Sequence, residues 1–515
     1  MKTHLSIILA GLCVLTFGKI ASRRLEAAEQ NQNPRIDVIL WFDTEDYLLP
    51  ASDDAAKRLA ELLTERGIRA TFKVVGEKAR TLERRGRGDV IESLRKHEIG
   101  YHANFHSVHP TPTEYLAECG WLDGVAEFAR REGAGAAHVR RIFNVPTLAC
   151  YGQPGSSWAP QAIGALRQIG IAPHDVPCYV DEGTHVGIDQ KPFWYAGALN
   201  VYHMGDNYTR MELHDPAMVE PGKKKFSDIS NRLKSENGGL ISIFYHPCEW
   251  VHREFWDGVN FANGANPPRE LWKAPPQRTS EETDGAFRRF AEYIDFIKSV
   301  PGVRFITAAD LPAIYRDRTM TEGASQEELG EIVSALLNSR DGIAFRVLNG
   351  KSFSAADQFD LLTRAVGELM QKQAPKFPLL PRVILGPDPA SATSILPQNP
   401  SPAALRTTVS DVSNYLSTQH RIPARIFFGS DAISPADFLY VLASAYSQLN
   451  SNPQKETIQL LPETALSLKA ATYVANDTPN LYGGWVIHKH GFRAPKVVEQ
   501  AKLQAWTLKP AIRAE

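Results

Sequence analysis

Ile36-Asp37-Val38-Ile39-Leu40-Trp41-Phe42 runs directly into Asp43-Thr44-Glu45-Asp46. All of the first seven residues except Asp37 are apolar, and most are branched or aromatic. A run this short and this continuous reads as a buried strand, not as one face of a helix. Three carboxylates then follow at its C-terminal end.

The next residues set the fold class. Ala55, Leu59, Leu62 and Leu63 recur on one helical face, and Gly67 follows as a stop signal. Ala70-Thr71-Phe72-Lys73-Val74-Val75 reads as a second strand. Ile91–Lys96 is a short helix, and Glu98-Ile99-Gly100-Tyr101-His102 is a third strand. Strands alternating with helices imply parallel β/α units, which gather functional groups at the C-terminal strand ends. Asp43 and His102 both lie at such ends. Leu240–Tyr245 is the clearest later strand and ends at His246. A helix is expected from Glu282 to Ser299 and a last strand over Val303–Thr307. Between them, residues 252–280, rich in Asn, Gly and Pro, are expected to form a surface loop.

Composition narrows the functional classes. The chain has 515 residues, 43% hydrophobic and 22% charged, enough for a sizeable core and too apolar for global disorder. Lys+Arg is 57 and Asp+Glu is 58, so the charge gives no case for nucleic acid or another polyanion. Lys2 and His4 precede an apolar run from Leu5 to Phe17, and Lys19, Arg23 and Arg24 follow it. This reads as an export signal over residues 1–28, or an uncleaved anchor. The expected location is periplasmic, cell-envelope or secreted, with membrane attachment only through the N-terminus. Cys119, Cys150, Cys178 and Cys248 show no CxxC spacing, which argues against a zinc–thiolate site.

His102-Ala103-Asn104-Phe105-His106-Ser107-Val108-His109-Pro110 carries the second concentration of reactive groups. An i, i+4 pair of histidines shares a face if the segment is helical or tightly turned. Two imidazoles and a carboxylate, with positions left for water, describe a hydrolytic metal site. A nearby carboxylate can take a proton from water, and a histidine opposite can protonate a leaving amine. Asp43 and His246 are residues of those kinds. Either Glu45 or Asp46 can be the carboxylate ligand. His106 with His109 is a second register for the histidine pair.

The order of these elements resembles the NodB-homology polysaccharide deacetylases, carbohydrate esterase family 4, over residues of about 37–310. The resemblance implies a distorted (β/α) barrel, with Asp43 as catalytic base and His102 and His106 as metal ligands. It implies Glu45 or Asp46 as the third ligand, His246 as general acid, and zinc as the metal. Tyr151-Gly152-Gln153-Pro154-Gly155-Ser156-Ser157-Trp158 matches a further segment, in which Gln153 stands where the family usually has an arginine that holds the base. Gln153, Pro154, Trp158 and His109 are therefore expected to bind substrate or support the site. Ala103 stands where the family has Ser or Thr. Trp158, Trp250 and Trp256 are candidates for stacking on sugar rings. The implied activity removes N-acetyl groups from a polysaccharide or peptidoglycan-type glycan. A catalytically weakened glycan-binding module and a deacylase of a small amide are the alternatives.

After residue 320 the texture changes. Phe353-Ser354-Ala355-Ala356-Asp357 matches Ile433-Ser434-Pro435-Ala436-Asp437 at a spacing of 80 residues. Leu362 matches Leu442, Ala365 matches Ala445, and Ile332 and Leu336 match Val412 and Leu416. The expected organisation is a barrel over 29–320 and a mainly α region over 321–515. That region holds two repeated units, at about 325–372 and 405–452. Each unit reads as a helix, an extended stretch, and a helix opened by a Ser N-cap. The units resemble the cell-wall-binding repeats of pseudomurein-binding proteins.

Overall fold

The computed structural model describes residues 34–339, 341–390, 401–452, 454–455, 458–459 and 467–514. The expected export segment and Cys13 lie outside the described residues. No helix among those described is long and apolar enough to cross a membrane. The four described cysteines are free thiols.

The protein is mixed α/β with a parallel sheet. Strand β1 (Ile36–Thr44) is buried along its whole length, because strands flank it, helices pack on one face, and side chains of other strands pack on the other. That double burial is why it reads as one continuous apolar run. Helix α1 (Pro50–Glu65) leads to β2 (Thr71–Val74). Helices α2 (Gly76–Arg84) and α3 (Gly88–Leu94) then lead to β3 (Glu98–Tyr101). The long helix α4 (Trp121–Phe143) packs against α2. After β4 (Cys178–Val180) come β5 (Phe193–Tyr195) and β6 (Ala198–Val201). Helix α5 (Val219–Ser235), β7 (Gly239–Tyr245), α6 (Ser280–Ser299) and β8 (Val303–Ile306) complete this part.

The register fixes the level of the functional face. β1 pairs in parallel with β2, β7 and β8, and β2 pairs in parallel with β3. Bridges from Tyr101 to Tyr151 and from Tyr151 to Tyr179 carry the arc on to β4, and Tyr208 bridges to Ser242 beyond β7. The expected barrel would require this arc to close. Among the described residues no ladder joins β6 to the Tyr208 segment, so backbone pairing leaves it open there.

Two units of one element order follow the sheet. The first is α7 (Gln326–Leu337), β9 (Arg346–Leu348), β10 (Lys351–Phe353) and α8 (Ala355–Met370). The second is α9 (Pro402–Gln419), β11 (Ile426–Phe428), β12 (Asp431–Ile433) and α10 (Pro435–Ser451). Each extended stretch is a β-hairpin. Ser354 accepts from Asp357 N and Ser434 from Asp437 N, both at 3.1 Å, as N-caps do.

The four helices of the units bury a core of their own. The chain then returns: Val474, Tyr482, Ala494, Val497, Ala501 and Leu508 pack into the core around the parallel sheet. Strand β13 (Lys509–Pro510) pairs antiparallel with β5.

Candidate metal centre

Adjacent parallel strands deliver their C-terminal ends to one place. Asp43 and Glu45 leave β1, His102 follows β3, His246 follows β7, and Asp181 follows β4. Asp43 is the register partner of Lys73 on β2.

The histidine segment is a tight turn, not a helix. Ala103 and His106 sit in the left-handed region, at φ 63° and 56°. Such a conformation costs about 1–2 kcal/mol for a residue with a Cβ, so the surroundings must enforce it. They do. The first amides of α2 bind the turn, with Gly76 N donating to Ala103 O and Glu77 N to Asn104 O, both at 2.9 Å. The Asn104 amide bonds Arg131 O and accepts from Arg80.

Glu45, His102 and His106 converge with ligand atoms close enough to hold one metal ion. All three are buried, at 3%, 1% and 3% exposure. His102 Nδ1 lies 3.0 Å from the Gly152 carbonyl, which can only accept, so Nδ1 keeps its proton. Its Nε2 therefore turns a lone pair toward Glu45 Oε2, 3.7 Å away. His106 is committed in the same way. Ser107 Oγ donates to Asp257 Oδ2 at 3.4 Å and accepts from His106 Nδ1 at 2.6 Å. His106 Nε2 then faces Glu45 Oε2 at 2.9 Å, buried and without a hydrogen-bond partner. Two lone pairs at that distance repel unless a proton or a cation lies between them. The donor set, two imidazoles and a carboxylate, fits a divalent metal such as zinc. Burial works against the charge of Glu45, but His106 and His102 hold its carboxyl well below the usual range.

Asp43 stands beside this cluster. Its Oδ1 lies 2.9 Å from Lys73 Nζ and 3.3 Å from His102 Nδ1, and its Oδ2 lies 3.6 Å from His246 Nε2. Burial opposes its charge, yet His102, Lys73 and His246 together keep its pKa lowered. His246 Nδ1 bonds Glu249 Oε1 at 2.6 Å, and Glu249 also pairs with Arg210. Burial disfavours the imidazolium, but that bond and the charges of Glu45, Glu249 and Asp43 raise His246 to about 9.

Other expected site residues lie elsewhere or do other work. Asp46 is outside the cluster: its Oδ1 accepts from Leu48 N at 2.7 Å, and its Oδ2 faces His252. Of the two candidate carboxylates, geometry groups Glu45 with the histidines. His109 bonds Glu114 at 2.7 Å and does not join His106. Gln153 does not reach Asp43. Its Nε2 donates to Gly155 O at 2.8 Å, and its Oε1 accepts from Tyr179 at 2.5 Å. Pro154 is buried, and its carbonyl accepts from Ser157 N. Trp158 stacks on His185, and Trp158, Trp250 and Trp256 are packed in the interior with no face free for a sugar. They are core residues here, the usual fate of a large aromatic side chain.

Sequence reasoning missed five residues of the site: Lys73, Asp181, Glu249, Asp257 and Trp485. Trp485 comes from the returning C-terminal segment. Its ring meets His106 edge-on at 5.3 Å, and its Nε1 donates to Asp257 Oδ2 at 2.8 Å. Lys73 and Asp181 pair at 2.8 Å. A lysine inside the apolar run Ala70–Val75 was the one available signal, since a buried ammonium needs a carboxylate partner.

Fold and site together define a mixed α/β protein with a carboxylate–histidine cluster suited to a divalent metal. No family model matches the sequence, and no curated protein does. Solved structures align over about half of it. A Mycobacterium smegmatis protein named as a polysaccharide deacetylase aligns at 13% identity and TM-score 0.35, covering 55% of this chain and 90% of its own. One of the same name from Pseudomonas aeruginosa PAO1 aligns at 13% and 0.35, covering 55% and 91%. PuuE allantoinase aligns at 12% and 0.34, covering 55% and 92%. The functional reading rests on the site.

Proposed function

We propose that this protein is a metal-dependent hydrolase that removes N-acetyl groups from N-acetylated sugars of a cell-envelope or extracellular glycan. One observation carries the reading: Glu45, His102 and His106 bring their ligand atoms together in a buried cluster, with His106 Nε2 2.9 Å from Glu45 Oε2 and its other nitrogen committed to Ser107. Glu45, His102 and His106 would hold the ion, zinc by the chemistry of the donor set. When bound, such an ion polarises an acyl carbonyl and acidifies water.

The remaining groups are arranged for proton transfer. Asp43, kept ionised, accepts a proton from the attacking water. His246, protonated across the neutral range, gives one from Nε2 to the departing amine. Asp43 Oδ2 and His246 Nε2 lie 3.6 Å apart, so both groups border the same site. The test is acetate release from N-acetylglucosamine oligomers with and without chelator, together with zinc titration calorimetry. A folded protein that binds zinc and releases no acetate under any divalent metal would refute the hydrolase and leave the glycan-binding module.

A second reading, a deacylase of a small amide, has an observation in its favour. Trp485 stands over His106, and a Cβ on Gly155 would meet its ring at 2.2 Å, so the returning segment walls one side of the site. His246, the most exposed group of the constellation at 17% of its side chain, marks the approach. Comparing N-acetylglucosamine oligomers with small N-acetyl amines separates the two readings.

A further inference from the structure

The buried base is held by a residue that the sequence places far from it. Lys73 lies on β2 as the register partner of Asp43. Its side chain is fully buried. Its Nζ meets Asp43 Oδ1 at 2.9 Å, Asp181 Oδ2 at 2.8 Å and the Val180 carbonyl at 2.9 Å. The ammonium donates to Asp181 and Val180 and is ion-paired with Asp43. The ring of Trp41, on β1, covers the ammonium at 3.9 Å.

The sheet has made room for this side chain. A Cβ on Gly100 would lie 3.0 Å from Lys73 Cγ and 2.9 Å from Cys150 Sγ. A Cβ on Gly152 would lie 2.0 Å from Lys73 Nζ and 2.5 Å from Asp181 Oδ2. Neither glycine has a positive φ, so space and not backbone conformation calls for glycine at both positions. Meanwhile Gln153 spends its amide on Gly155, Tyr179 and Tyr202, and no hydrogen bond links it to Asp43.

We propose that Lys73 is the positioning residue of this site: it fixes the orientation of Asp43 and is itself aimed by Asp181 from the end of β4. The cation that steadies the base thus comes from the neighbouring strand and not from the loop containing Gln153. The inference rests on the reading of Asp43 as the proton acceptor.

The test uses the zinc-loaded full chain, with N-acetylglucosamine oligomers and 4-nitrophenyl acetate as substrates. Four proteins are compared: the wild type, Asp43→Asn, Lys73→Met/Asp181→Asn, and the triple variant. Removing Asp181 together with Lys73 avoids stranding a second buried carboxylate, which keeps the fold. The expected result is a kcat loss of 100-fold or more for Asp43→Asn and for the double variant. KM is expected to change less than threefold and zinc affinity less than tenfold, because Lys73 touches none of the three metal-binding side chains. The triple variant is expected within threefold of Asp43→Asn, since Lys73 acts through Asp43. A merely structural lysine would instead give losses that multiply, and that result overturns the proposal. A double variant within threefold of wild type overturns it while leaving the reading of Asp43 intact. An active Asp43→Asn, or a wild type inert on both substrates, overturns that reading and this proposal with it.

Discussion

Glu249→Gln should move the alkaline limit of activity without removing a group from the chemistry. Glu249 holds His246 Nδ1 at 2.6 Å and also accepts from the His246 backbone N at 3.0 Å. His246 is raised from 6.5 to about 9, which at 1.36 kcal/mol per unit is about 3 kcal/mol in favour of the imidazolium. Glutamine can keep its Oε1 as acceptor for both bonds, and loses the charge and the second oxygen that accepts from Arg210. A hydrogen bond to a charged partner contributes roughly 1.5–3 kcal/mol and a neutral one roughly 0.5–1.5. The difference corresponds to about one pH unit. Arg210, left without its carboxylate, pushes in the same direction. Because His246 must carry its proton to donate it, kcat/KM should fall on the alkaline side at a pH about one unit lower than in the wild type. A bound divalent cation lowers the limit in both proteins, so the difference between them is diagnostic. Stability carries the same sign. The contribution of the raised His246 pKa is fully present below about 6.5 and is lost as pH rises through about 9. The checks are pH–rate profiles and titration of the 15N-labelled imidazole by NMR. Limits that coincide within a few tenths of a unit in both measurements would refute the claim that Glu249 sets the protonation of His246.

Glu45→Gln should weaken zinc binding by at least ~100-fold, whereas Asp46→Asn should leave it nearly unchanged, because only Glu45 lies between the two imidazoles; calorimetry decides, and equal losses would reopen the choice of carboxylate. Gly155→Ala combines a left-handed backbone, φ 49°, with a Cβ 2.2 Å from the Trp485 ring. A destabilisation of roughly 2–4 kcal/mol in denaturant titration is expected, and a value under about half a kcal/mol would mean that Trp485 does not occupy that seat. Trp485→Phe keeps the ring and removes the N–H to Asp257, so zinc affinity should fall about tenfold, at the low end for groups supporting a metal ligand; unchanged affinity would disconnect Asp257 from His106.

Much of the fold was legible because parallel, doubly buried strands announce themselves locally. β1, β2, β3 and β7 appear as apolar runs, and a strand's end is a local feature, so Asp43, Glu45, His102 and His246 were found with their strands. The turn at His102–His106 was legible in spacing but not in form, since its left-handed residues are imposed by α2 and Asn104. The Ser354 and Ser434 caps were legible, being encoded within a few residues. The hairpin β9–β10 was missed, although Asn349-Gly350, at φ 50° and 71°, is the turn that hairpins prefer. Its three-residue strands are too short to show alternation. Gln153 was assigned by homology of position, and position does not say which neighbours compete for an amide. Here Tyr179 and Tyr202 won.

What escaped entirely depends on chain return. Trp485 follows His106 by several hundred residues, and nothing near either predicts their meeting. Yet the returning segment is firmly seated. Val486 O and Ile487 O accept from Asn263 N and Gly264 N at 2.8 and 2.7 Å, and Ser156 Oγ donates to Tyr482 O at 2.6 Å. Farther on, Lys509 lies buried between Asp317 and Asp357, at 2.8 and 2.9 Å. Breaking a buried pair costs about 3–5 kcal/mol. Asp357 is also the residue whose amide Ser354 caps at the start of α8. The last described residues therefore join the cap of a repeated unit, through β13 and β5, to the sheet that carries the metal centre. The repeated units are thus built into the support of the site, and the wall that Trp485 forms comes from the same stretch of chain.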